Sequence, residues 1–117
     1  MTELSDFEVL AHLDAVIDAL MLVEPDMPIS RVKVLTALMR KEGLNGHEIM
    51  ARTGMDVSKI NRDLQALGER NRMGNQGAGL IYARPSDHNA SALQRFWTPK
   101  GQAWKQRFLD ILQRRTV

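Results

Sequence analysis

Residues 55–67, MDVSKINRDLQAL, gather side chains that hydrogen-bond nucleobases: Ser58, Lys59, Asn61, Arg62 and Gln65. Arginine matches the two acceptors of guanine, and asparagine or glutamine matches the donor–acceptor pair of adenine. In the same stretch Val57, Ile60, Leu64 and Leu67 recur at helical spacing. With Ile60 pointing inward and about 100° per residue, Ser58, Arg62 and Gln65 fall on the opposite face, flanked by Lys59 and Asn61. The chemistry available to that face is readout of base edges in a major groove. The same residues also make an ordinary solvated helix face, so the surrounding elements must decide between the two.

Other cations suit phosphates better than bases, because they lie on candidate strands or in a connector. They are Arg70 and Arg72, which could equally compensate a helix C-terminus, together with Arg84 and Arg95; Arg31 and Lys33 could meet a backbone at the start of another helix. Charge is divided unevenly along the 117 residues. Residues 1–26 hold seven of the 14 acids and none of the 16 Lys and Arg, so they carry −7 and the remainder +9. An acidic head on a basic body often accompanies polyanion binding.

Several other functions find no support. The sequence has no cysteine, so neither disulfides nor thiolate metal sites are available. His12, His47 and His88 are far apart and lack carboxylate partners at ligand spacing, so no metal site is expected. GNQGAG (74–79) lacks the Lys-Ser/Thr of a phosphate-binding loop and reads as a flexible connector. No nucleophile–base pair or acid pair calls for an enzyme or a cofactor. No apolar run approaches the ~20 residues of a membrane span. The acidic N-terminus is unlike a signal peptide, and a cytoplasmic protein is expected.

Helices are expected over 5–23, 29–42, 46–53, 56–70 and 98–115, and strands over 80–85 and 93–97, an α-α-α-α-β-β-α order. Ser5 or Asp6, Asn45, Asp56 and Thr98 are candidate N-caps, and Gly43 and Gly54 candidate stops. Leu44 suits a very short strand. Two short helices joined by a Gly-containing turn make a helix-turn-helix. The first helix is more apolar than one side of a small core requires, so a second copy is expected on its other side. The dimer residues expected are Phe7, Leu10, Leu13, Ile17 and Leu20, with Trp104, Phe108, Ile111 and Leu112 from the last helix.

A helix-turn-helix followed by a β-hairpin is a winged helix, and with one helix on either side the sequence resembles the MarR-type transcription regulators. HEIMARTGMDVSKINRDLQAL is similar to the family's motif at Glu48, Gly54, Ser58, Ile60, Asn61, Arg62, Leu64 and Leu67. GLI (79–81) resembles the approach to the wing and WTPKG (97–101) the segment that leaves it. The sequence departs from the family where the wing usually carries an Asp–Arg pair: Asn89 and Ser91 stand there unless the register shifts to Asp87. ERNRMGNQGA (69–78) is an insertion, and the terminal helices are short.

The resemblance implies one mainly α domain over 1–117: a dimerisation helix within 1–26, a winged helix-turn-helix over 28–98, and a second dimerisation helix over 99–117. It implies a homodimeric regulator that reads double-stranded DNA, with residues 56–70 in the major groove and the wing, 80–97, on the backbone or in the minor groove. The absent wing pair and the acidic head leave open a winged helix used for contact with a protein partner. A ligand-sensing repressor, its small molecule held between the dimerisation helices and the DNA-binding lobe, is also open, but short termini leave it little room.

Overall fold

The computed structural model describes residues 5–69, 76–86 and 92–113. Its elements are α1 (Asp6–Met21), α2 (Ile29–Arg40), α3 (Gly46–Thr53), α4 (Val57–Leu67), β1 (Ile81–Pro85), β2 (Leu93–Trp97) and α5 (Pro99–Gln113). The order is the one the sequence implies, with α1, α2 and α4 each a few residues shorter than expected and α5 beginning one residue later.

Local chemistry fixes most boundaries. Ser5 and Glu8 exchange side-chain and backbone bonds in a capping box that starts α1, and Asn45 and Glu48 do the same for α3. Gly54 closes α3 at φ +74°, a left-handed turn that costs glycine little. Asp56 accepts from the Ser58 N–H to open α4. Gly43 does not stop α2, because the helix has already given way to an extended Lys41. Its φ of +88° instead turns the chain onto the hairpin: the Gly43 N–H donates to the Arg95 carbonyl (2.8 Å), and the Arg95 N–H to the Leu44 carbonyl (3.0 Å). The strand-like character expected of Leu44 is confined to that pairing.

α2, α3 and α4 enclose one core with the base of the hairpin, built on Val34, Leu35, Leu38, Leu44, Ile49, Ile60, Leu64, Leu67, Leu80 and Ile81. β1 and β2 pair antiparallel, with Ile81 opposite Trp97 and Pro85 opposite Leu93. The segment WTPKG locks α5 to this core. The Trp97 indole N–H donates to the Leu38 carbonyl, the Thr98 N–H to the Leu80 carbonyl, and the Thr98 hydroxyl caps Gly101. A side chain on Gly101 would run into the Leu80 carbonyl oxygen, so glycine is what permits the close approach.

Two expectations need correction. Trp104 and Phe108, assigned to a dimer interface, are 6% and 3% exposed within one chain. Trp104 stacks between Trp97 and Phe108, at ring-centroid distances of 6.3 and 4.9 Å, and its indole N–H donates to the Ala19 carbonyl of α1. A helical period identifies the apolar stripe of α5 but not which neighbour covers it. Leu20 and Ile111 are likewise half-buried against the same core, whereas Phe7, Leu10, Leu13, Ile17 and Leu112 remain exposed.

The second correction concerns the connector. Its end, residues 77–80, is docked on the last carbonyls of α4 and those of the two residues that follow it. Successive N–H groups of Gly77, Ala78, Gly79 and Leu80 donate to Glu69, Ala66, Gly68 and Leu67 at 2.8–2.9 Å. Groups that a helix terminus leaves unpaired are thereby satisfied. Residues 70–75 of the connector, with Arg70 and Arg72, lie outside the described residues, as do the wing-tip positions Asp87, Asn89 and Ser91.

Candidate nucleic-acid interface

α4 is held from behind by Ile60, Leu64 and Leu67, all buried, and from its start by α3. Asn61 lies close over Gly46: a Cβ on that glycine would stand 3.0 Å from the Asn61 amide oxygen. The small residue lets the two helices of the motif approach at their crossing. Lys59, Asn61, Arg62 and Gln65 are exposed, and none makes a side-chain hydrogen bond or ion pair among the described residues. Ser58 differs from them. Its hydroxyl donates to the Asp56 carboxylate, so it helps cap the helix. That bond, with backbone donation from Ser58 and Lys59 and the nearby Lys59 charge, holds the Asp56 carboxyl below its ordinary pKa against a smaller effect of desolvation.

The two wing arginines lie on opposite faces of the hairpin, as alternation along a strand requires. Arg84 sits across from Gln94 and lays its guanidinium over the Phe96 ring, 4.3 Å from the centroid, beside Tyr82. Arg95, opposite Ala83, faces α4. It lines a polar cleft of about 340 Å³ with Asn45, His47, Asn61 and Gln65, between α3, α4 and β2. Its guanidinium donates to the Leu93 carbonyl (2.7 Å) and has no carboxylate partner among the described residues. Burial pushes its pKa down, yet an arginine remains charged at neutral pH. The result is a half-buried cation short of an anion, at the edge of the helix that carries the polar face.

Arg31 is not free to meet a phosphate. It is buried, and its guanidinium binds Asp63 of α4 and Glu24 of the α1–α2 turn. Asp63 itself escapes a reading of the sequence for polar faces. The available signal was its angular position beside Leu67 and Ile60, at the rim of the apolar stripe, where a lone acid needs a partner. His47 and Asn45 were also missed as members of the cleft, since it forms only when the hairpin returns to α3.

Helices and a hairpin in this order, with an exposed polar face on the second helix of the motif, also occur in solved structures. A MarR transcriptional regulator from Methanosarcina mazei Go1 superposes with a TM-score of 0.66 at 14% identity, over 91% of this chain and 69% of that one. The fold is that of the MarR-type winged helix. A MarR family transcription regulator gives a TM-score of 0.64 at 21% identity over 90% of this chain and 64% of its own. A point mutant of MarR from E. coli, complexed with operator DNA, gives 0.62 at 15% identity over 90% and 71%. The chain thus spans about two thirds of the length of these MarR-type proteins. No family model matches the sequence, and no curated protein matches it.

Short terminal helices are expected to leave a ligand pocket little room, yet α1 and α5 border a sizeable cleft. About 330 Å³ lies between them and the segment 77–80, walled by Leu22, Val23, Leu80, Trp104, Phe108 and Ile111, with Lys100 and Arg107 among its lining residues. No helix among the described residues is long and apolar enough to cross a membrane.

Proposed function

We propose that the protein is a transcription regulator that binds double-stranded DNA as a homodimer, with α4 in the major groove and the wing on the backbone. The observation that carries this reading is the state of α4. Four long polar side chains stand exposed and, among the described residues, unpaired on the second helix of a helix-turn-helix, while Ile60, Leu64 and Leu67 on its other face are buried. Arg62 projects furthest from Ile60 and is assigned to base readout with Lys59, Asn61 and Gln65. Arg95, which faces α4, is assigned to phosphates; Arg84, on the other face of the hairpin over Phe96, is not. Ser58 takes part through the cap.

The test is fluorescence anisotropy with a duplex selected from a random pool and its scrambled counterpart. Arg62→Ala should cost about 1–3 kcal/mol on the selected duplex and little on the scrambled one. Arg95→Ala should weaken both alike and reduce the salt slope by about one unit for each phosphate it neutralises, whereas Arg84→Ala should leave the slope unchanged. Wild-type protein without preference among duplexes would remove this reading in favour of a protein-binding winged helix.

The cavity between α1 and α5 favours a ligand-sensing version of the same regulator. A small molecule with an apolar body and one anionic group suits the aromatic wall and the two cations, Lys100 and Arg107. Thermal shift with small aromatic carboxylates, in wild type and in Arg107→Ala, tests it.

A further inference from the structure

The pair Arg31–Asp63 is placed where burying charge brings little stability. Buried ion pairs are often no better than apolar residues of the same size, yet this one joins α2 to the middle of α4. Both Asp63 oxygens are engaged: Arg31 Nε donates to Oδ1 at 3.0 Å, and the Ser30 hydroxyl donates to Oδ2 at 2.9 Å. The other branch of the same guanidinium, through Nη1, binds the Glu24 carboxylate. Glu24 lies in the turn that follows α1 and is partly exposed, while the Arg31 and Asp63 side chains are almost fully buried. One planar group therefore spans the end of α1 and the centre of α4.

Ile60, Leu64 and Leu67 press α4 onto the core, but apolar contact is non-directional and tolerates rotation about the helix axis. A charge-assisted bond to a fixed fork does not. Asp63 is the neighbour of Arg62 in sequence, about 100° around the helix. A rotation of ~20° would displace an α4 side chain by roughly 2 Å at the helix surface, enough to break a bidentate contact with a base.

We propose that Arg31 is a positioning residue: it sets the rotation of α4 about its axis and, through Glu24, makes that rotation answer to the end of α1. This rests on the reading that α4 enters a DNA groove. The double variant Arg31→Met/Asp63→Leu removes both charges at similar volume. It should melt close to wild type or above it, yet lose about tenfold or more of the preference for the selected over the scrambled duplex. The salt slope, set by phosphate contacts, should not change. A double variant as selective as wild type would show that the pair only braces the fold and would overturn the proposal.

Should the double variant not fold, Arg31→Lys replaces it. Lysine keeps a charge beside Asp63 but cannot hold both acids in one plane, so the same loss of preference is expected, and its absence is equally decisive. Glu24→Gln tests the link to α1 without DNA. Its amide shifts should extend from the α1–α2 turn through α2 into residues 59–66, and shifts that stop within α2 would break the link. If wild-type protein shows no preference among duplexes, the DNA reading fails, while the amide experiment still decides whether α1 and α4 are coupled.

Discussion

Replacing Leu10 and Leu13 with alanine is the sharpest test of the proposed dimer. These two α1 residues are 58% and 51% exposed, near a Phe7 that is 81% exposed, on a helix that buries only Ala19 completely. The shape agrees with a helix lacking cover. The radius of gyration is 15.6 Å with a long dimension of 51 Å, against about 13 Å for a compact chain of this length. Burying a whole leucine side chain contributes about 2 kcal/mol, so the open half of each is worth about 1 kcal/mol. A two-fold axis uses each residue twice. The double variant should therefore weaken the dimer by about 4 kcal/mol, close to three decades in Kd. Sedimentation velocity over roughly 0.1–100 µM spans that range. Both side chains project from the exposed face of α1, so the monomer should retain its helical circular dichroism. The contrasting variant is Phe108→Ala, which should cost about 3–5 kcal/mol of stability through its core cavity. If wild type is monomeric across the range, or the Leu10/Leu13 variant associates as wild type does, the exposed face of α1 is not the dimer interface.

Three further outcomes are expected. The Asp56 carboxyl is depressed in the folded chain, so its cap on α4 is fully present above the unfolded carboxylate pKa of about 3.9 and is lost as pH falls through the lower folded value. The Ser58 amide resonance should report that acid titration, and Asp56→Asn should abolish it. Gly101→Ala places a methyl group against the Leu80 carbonyl and 3.0 Å from the Trp97 ring; calorimetry should show about 1–3 kcal/mol less stability. Asn45→Ala removes the capping box of α3 and should cost about 1 kcal/mol in the denaturant midpoint, with no change in dimer affinity.

What could be read from the sequence and what could not divide along a physical line. Asn45, Gly54, Asp56 and Thr98 act on backbone within a few residues, so their identity announces a helix end wherever the chain goes. Ile60, Leu64 and Leu67 announce a buried face by period alone. The order of elements follows from such local signals, and with it the winged helix. The exposed face of α4 is the complement of its buried face, which is why Lys59, Asn61, Arg62 and Gln65 could be named together.

Long-range identity is different, because an apolar or charged side chain does not name its partner. Trp104 and Phe108 have the spacing of an interface stripe, but Trp97, arriving from the hairpin, and Ala19, arriving from α1, enclose them. Arg31 looks like a free cation until α4 brings Asp63 to it from 32 residues away. Arg84 and Arg95 look equivalent until the hairpin register puts them on opposite faces. Glycines 77 and 79 look flexible, although their N–H groups bind the Glu69 and Gly68 carbonyls just past α4. In each case the deciding contact joins separate elements, and the sequence carries only one half of it at a time. Function is most easily misread at the same kind of place. The polar face of α4 is local and legible, but the rotation that aims it depends on a non-local ion pair, so a sequence keeping Arg62 while losing Arg31 or Asp63 would look like a DNA reader and discriminate poorly.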